Sequence, residues 1–245
     1  ASGVTHPLLA EAATQFQAQA FNELLPASGP VRTVVMGKDS TSKNQQAKRV
    51  RQFMNYYITS VMEEYTPDMD QMLFYLPLAG STFKKTYFDE TLGRAVSKFV
   101  PAENLVVPYE TSDLETCPNI TQVVRMSLND LRKRQIGGTY LDVEVIPAQK
   151  ELSDLEGEMD RIEGLEPNQI DYDCTILECH VDLDLEGYEE LDTDGEPTGI
   201  KVPYVVTLSE DNGQVLSIRR NYLEEDELKR KIQYFTHFKF LPGFG

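Results

Sequence analysis

The chain has 245 residues, 40% of them hydrophobic and 26% charged, enough for a sizeable core in one large domain or two small ones. Its net charge of −17 lies between Glu151 and Ile200, where 18 acids meet a single base, Arg161, while the other 195 residues hold 22 of each sign. Such a segment repels phosphate backbones, and no apolar run reaches the roughly 18 residues of a membrane helix, so neither a nucleic-acid grip there nor a bilayer span is expected.

The opening "ASGVTHPLLAEAATQF" lacks a basic stretch followed by an apolar one, so no secretion signal is expected. A start on Ala rather than Met implies a chain that was cut, or an added "ASG". From His6 to Leu25 the apolar residues Leu9, Ala13, Phe16, Ala20 and Leu24 recur at helical spacing. "VRTVVM" (Val31–Met36) is β-branched and short, and reads as a strand. Ser42 with Gln45 three residues on forms a capping-box pattern, and Ala47, Val50, Met54, Tyr57, Val61 and Tyr65 follow at steps of three or four. One long helix is expected there, ended by Pro67, then a shorter buried helix stopping near Pro77 and Gly80.

From Ser81 the period changes to two. "STFKKTYF", the turn "DETLG" and "RAVSKFV" predict a hairpin, with Gly93 supplying the left-handed backbone angle. "NLVVPY" reads as an edge strand because of Pro108, and "ITQVVRMS" as another strand. Ser127 and Asp130 open a helix, "LNDLRKRQI", which Gly137 and Gly138 close. A strand "YLDVEVI" and a weak acidic helix from Ser153 are expected next. In "CTILECHVDLDLEG" the apolar Leu177, Cys179, Val181, Leu183 and Leu185 alternate with Glu178, His180, Asp182 and Asp184, which predicts a half-buried strand whose polar side meets water or a partner. "VPYVVTLSEDNGQVLSIRR" is a hairpin turning at Asn212-Gly213, followed by a short helix near "EDELKRKI" and a last strand, "YFTHFKF". The class is therefore α+β: amphipathic helices first, over residues 1–80, then mostly antiparallel strands and short helices over 81–245, packed on them or continuous with them.

No pattern carries chemistry. In "EELDTDGEPTGIK", Glu190, Asp192, Asp194 and Gly195 fit a calcium loop, but its twelfth position is Lys201, which puts an ammonium where a bidentate carboxylate belongs. Cys174, Cys179 and His180 suggest zinc only until their parity is counted: the two cysteines point to opposite sides of one strand. Three cysteines (with Cys117) make no disulfide framework and point to a reducing compartment. His6, His180 and His237 share no visible environment, and no nucleophile elbow or phosphate-binding glycine loop occurs. Asp171 and Asp173 could serve a divalent-metal nuclease or phosphatase, the enzyme alternative, although acid pairs arise by chance in so acidic a segment. Four basic clusters, Lys48–Arg51, Arg132–Arg134, Arg219–Arg220 and Lys229–Lys231, have acids nearby and read as solvated faces or subunit contacts. No catalytic, cofactor-binding or metal-ligating residue is assigned; the acidic stretch and the 42–65 helix are the expected interaction surfaces.

The order of segments carries more than any motif. "MLFYLPLAGSTFKKTYFDETLGRAVSKFVPAENLVVPY", "SDLETCPNITQVVRMSLNDLRKRQIGG", "GIKVPYVVTLSEDNGQVLSIRRNY" and "HFKFLPGFG" together resemble the portal (head-to-tail connector) proteins of tailed bacteriophages, of the long type found in short-tailed phages. The resemblance spans nearly the whole chain. It implies a non-enzymatic subunit of a homo-oligomeric ring, usually twelve-fold, at one capsid vertex. Double-stranded DNA passes through that ring without sequence-specific binding during packaging and ejection. It further implies docking of the terminase, coat or scaffolding protein and tail adaptors, assembly in the host cytoplasm and residence in the virion. Family members continue past a "PGFG"-like stretch into channel-lining helices, so by this resemblance the chain looks like their amino-terminal wing. Another virion adaptor protein is the non-enzymatic alternative.

Overall fold

The computed structural model describes residues 7–38, 40–145, 173–191 and 194–241. Among these the fold is an α+β mixture in which every strand pair is antiparallel. Contacts divide the chain into two units, residues 1–103 with 233–245, and residues 104–232. That division is not the one at residue 80 which the change of periodicity suggests. The last strand returns to pair with the first, which holds a three-stranded sheet in the helical unit.

In the first unit, α1 (Leu8–Leu24) packs on α3 (Tyr65–Ala79), with α2 (Thr41–Tyr56) between them in sequence. Met69, Met72 and Leu73 of α3 form the core, against Phe16, Ala20 and Phe21 of α1. Of the α1 stripe, Ala13 is buried, whereas Leu9 and Leu24 at its ends stay exposed. The Gln17 amide donates to Asp70 Oδ1 at 2.8 Å and fixes the helix pair laterally. β1 (Ser81–Asp89) and β2 (Arg94–Pro101) form the expected hairpin, turning at Gly93 (φ 64°), and β8 (Phe235–Lys239) pairs on the other side of β1.

β2 is an edge strand, and its free amide groups would be a template for another chain. They are covered from within. Ala95, Ser97 and Phe99 donate their backbone N–H groups to the Tyr57 hydroxyl (3.0 Å), Glu64 Oε1 (3.1 Å) and Asp68 Oδ2 (2.7 Å). Alternate strand residues thus meet side chains one helical turn or more apart, a match of the two periods.

The second unit is built on the sheet β3-β4-β5-β6-β7: β3 (Leu105–Val106), β4 (Asn119–Ser127), β5 (Asp173–Leu183), β6 (Val202–Ser209) and β7 (Val215–Arg220). α4 (Leu128–Ile136) packs over β4 and β5, enclosing Met126, Leu131, Tyr140, Cys174, Ile176 and Leu216. Ser127 caps α4 as its position predicts: its Oγ accepts from Asp130 N at 3.2 Å. Replacing Ser127 by Ala should cost about 1 kcal/mol and lower Tm by roughly 2–4 °C in a thermal melt. Ser127→Asp should keep most of that stability, and an unchanged melting point for Ser127→Ala would contradict the cap.

Several expectations are corrected. Val31–Met36 is not a strand. Among the described residues it pairs with no strand; it runs beside α2, held by the Asn55 amide on Val31 N and O (2.8 and 3.2 Å) and by Thr33 Oγ1 on Ala47 O (3.1 Å). The helix start is capped by Ser40, not Ser42. The long helix stops at Tyr56, passes through a π-helical turn (Tyr57–Val61) and breaks at Met62, and Pro67 lies in the first turn of α3. Proline is tolerated there because first-turn amide groups have no partner within the helix. "NLVVPY" contributes only two strand residues. Tyr140–Val145 is no strand either: within it one backbone bond reaches the sheet, Leu141 N to Leu216 O. Residues 225–232 are not helical, because Asp226 takes the amide groups of Leu228 and Arg230. The acidic helix expected from Ser153 lies outside the described residues.

Candidate functional site

Helix α2 presents the most unusual surface. Its sequence places Val50, Phe53, Met54 and Tyr57 on one stripe, which in a soluble helix faces a core. Yet no residue of α2 is buried. Val50 is 47%, Phe53 60% and Met54 38% exposed, and beside them in the 31–36 segment Met36 is 88% exposed. At one end of the stripe the Phe53 ring tilts against Tyr57 (5.8 Å between centroids), and Tyr57 bonds the β2 edge. Asn55 closes the other side. Gly29 lies so close (φ 91°) that a Cβ there would strike the Asn55 amide.

The four basic clusters are unequal in place, and the expectation that each has acids nearby fails for Lys48–Arg51, since no acid lies between Ser40 and Met62. Arg132 bonds Asp142 and Gln135, Lys133 pairs with Asp130 at 3.0 Å, and Arg134 reaches the Tyr140 hydroxyl. Lys229 pairs with Glu190 at 2.6 Å, Arg230 with Asp226 at 2.9 Å, and Lys231 donates to Cys117 O at 2.7 Å. Arg219 and Arg220 lie on β7, exposed. In α2, Lys43, Lys48, Arg49 and Arg51 stand without a single acid in the helix, and none of them forms an ion pair among the described residues.

The polar side of β5 meets water only in part, as expected for Asp182 and Asp184 but not for Glu178 and His180. Cys174, Ile176 and His180 on it are buried, while Asp182 near its end and Asp184 just beyond it are exposed. His180 Nε2 lies 2.8 Å from Glu178 Oε1, so acid and imidazole satisfy one another and tolerate the interior. Glu178 is in register with Gln122 on β4 and Thr207 on β6, and Thr207 with Ser217 on β7, a polar row across four strands. Burial raises the nearby Tyr140 hydroxyl above its ordinary value, opposed by Arg134.

In the first unit Lys84, 4% exposed, is a further buried charge that sequence reading misses. Its Nζ lies 4.2 Å from the centre of the Tyr65 ring and has no hydrogen-bond partner among the described residues. Burial pushes its pKa down to about 8, against the attraction of Asp68 and Glu64. His237 stacks on Phe83 at 4.6 Å and shares a 2.9 Å contact with Ser81 Oγ.

The other candidates do not converge. Glu190 is engaged by Lys229 and Asp192 lies outside the described residues, as do His6 and Asp171. Among the described residues no three His, Cys, Asp or Glu side chains gather as a metal ion would require. No helix among them is long and apolar enough to cross a membrane. A scan against models of known protein families matches none of them, and no curated protein matches the chain.

Proposed function

We propose that this chain is a structural subunit of a phage portal ring, the passage for double-stranded DNA into and out of the capsid. The order of its segments resembles that family, and an α+β body of antiparallel strands with helices on it suits a stiff wing standing among neighbours. One observation carries the reading: α2 displays an apolar stripe and four bases with no buried residue, the kind of exposed surface that marks a site of association. On this reading the terminase, coat or scaffolding protein and tail adaptors dock on the ring, the virion is its location, and no residue is catalytic.

The test is negative-stain imaging of the purified gene product that carries this chain. Rings with a central hole are expected. A product that stays monomeric at every concentration would overturn the reading. So would phosphodiester hydrolysis with Mg²⁺ or Mn²⁺ that Asp171→Asn or Asp173→Asn abolishes.

A further inference from the structure

The occupant of the α2 face can be argued from charge and shape. Residues 31–56 hold Arg32, Lys38, Lys43, Lys48, Arg49 and Arg51 against Asp39 alone, +5 in a chain of −17, so the rest of the molecule carries −22. A second copy therefore offers this arm an opposite field, and Asp182, Asp184 and Glu186 are among its exposed acids. A duplex would also attract the bases, but a phosphate backbone leaves Val34, Met36, Val50, Phe53 and Met54 uncovered. Phe, Met and Arg side by side, with charge at the margin, is the composition of a protein interface. The arm is also held in shape before docking, by Asn55 on Val31 and by Ser40 on Lys43 N, so little ordering would be lost on association.

We infer that the Val34–Met36 segment and the Val50–Phe53–Met54 stripe of α2 dock on the acidic surface of a second copy of this chain, with Arg49 and Arg51 flanking the apolar centre on the helix. This builds on the proposed ring and names the contact by which one subunit holds the next. The test places p-benzoylphenylalanine at position 53 of the full gene product and irradiates it during assembly in the presence of a DNA duplex. A cross-link to a second copy, mapped by mass spectrometry to an acid-rich peptide, is expected. R49E/R51E should weaken self-association on the order of tenfold or more in sedimentation velocity, and association of the unaltered protein should weaken as salt rises. These residues are exposed, so an unchanged melting curve checks that the variant folds. Rings that form without the cross-link, a double variant that associates like the original, or a cross-link to the duplex would overturn the contact while leaving the ring. Cross-linked pairs that never close into rings would do the reverse, and a product that remains monomeric would overturn both.

Discussion

Replacing Lys84 by Met should stabilise the protein at neutral pH by roughly 1–3 kcal/mol, an unusual sign for a core substitution. The ammonium is 4% exposed and, among the described residues, makes no hydrogen bond and has only the Tyr65 face and two carboxylates for company. Holding it at about 8 against an ordinary 10.5 corresponds to roughly 3 kcal/mol. The sign follows from proton counting. Between pH 8 and 10.5 the unfolded chain keeps this proton and the folded chain has lost it, so stability rises with pH across that window. Methionine fills a similar volume and carries no proton. Its advantage should therefore be full near pH 7 and shrink steadily as pH passes from 8 towards 10. Urea titrations of both proteins at several pH values measure the difference, in which other titrating groups cancel. A difference independent of pH, or a less stable Lys84→Met, would contradict the buried cation.

Where sequence and structure agree, short-range chemistry is decisive. The β1–β2 and β6–β7 hairpins were legible because period-two alternation is interrupted by residues that accept left-handed angles, Gly93 and Gly213. α4 was legible because its cap and its terminating glycines are local. Val31–Met36 was misread because β-branched residues state a preference that only a neighbouring strand can satisfy. Residues 225–232 were misread because the Asp226 carboxylate competes with the helix for the same amide groups. On β5 the alternation separated two faces correctly, but polarity alone could not show that His180 and Glu178 satisfy each other inside.

The candidate site shows the same division. The stripe Val50, Met54, Tyr57 was visible as a period, and a period says which side is apolar, not what covers it. The Lys48–Arg51 cluster stands apart in composition, since no acid lies between Ser40 and Met62, but the pairings of the other clusters were not legible. Glu190, Asp226 and the Cys117 carbonyl reach Lys229, Arg230 and Lys231 only through the tertiary fold. The Lys84 environment is the extreme case. In sequence it is one of two adjacent lysines on an alternating strand, and its burial depends on Tyr65 and Asp68 from another element.

Removing the carboxylates that cover β2 should have the second large effect. Asp68→Ala leaves the Phe99 amide without its acceptor, and Glu64→Ala frees both the Ser97 amide and Arg94, which lies 2.7 Å from Glu64 Oε2. A hydrogen bond to a charged group contributes about 1.5–3 kcal/mol, so each variant should lose about 2 kcal/mol and the pair about 4. Burial pulls the Glu64 carboxyl up, but its bonds to backbone amides and Arg94 prevail and hold it below the ordinary 4.5. Its contribution is therefore complete above that value and is lost as pH falls through the lower folded one. Glu64→Gln keeps an acceptor for Ser97 and should lose less at neutral pH while flattening this acid-side slope. An uncovered edge also invites strand addition, so both Ala variants should aggregate more readily on mild heating, seen by light scattering. The two sites are coupled through Lys84, because Asp68 is the stronger of the carboxylates attracting that ammonium. In an Asp68→Ala background, Lys84→Met should then stabilise by about 1 kcal/mol more than it does in the original chain. Strict additivity in that double-mutant cycle would mean that Asp68 serves the strand edge alone.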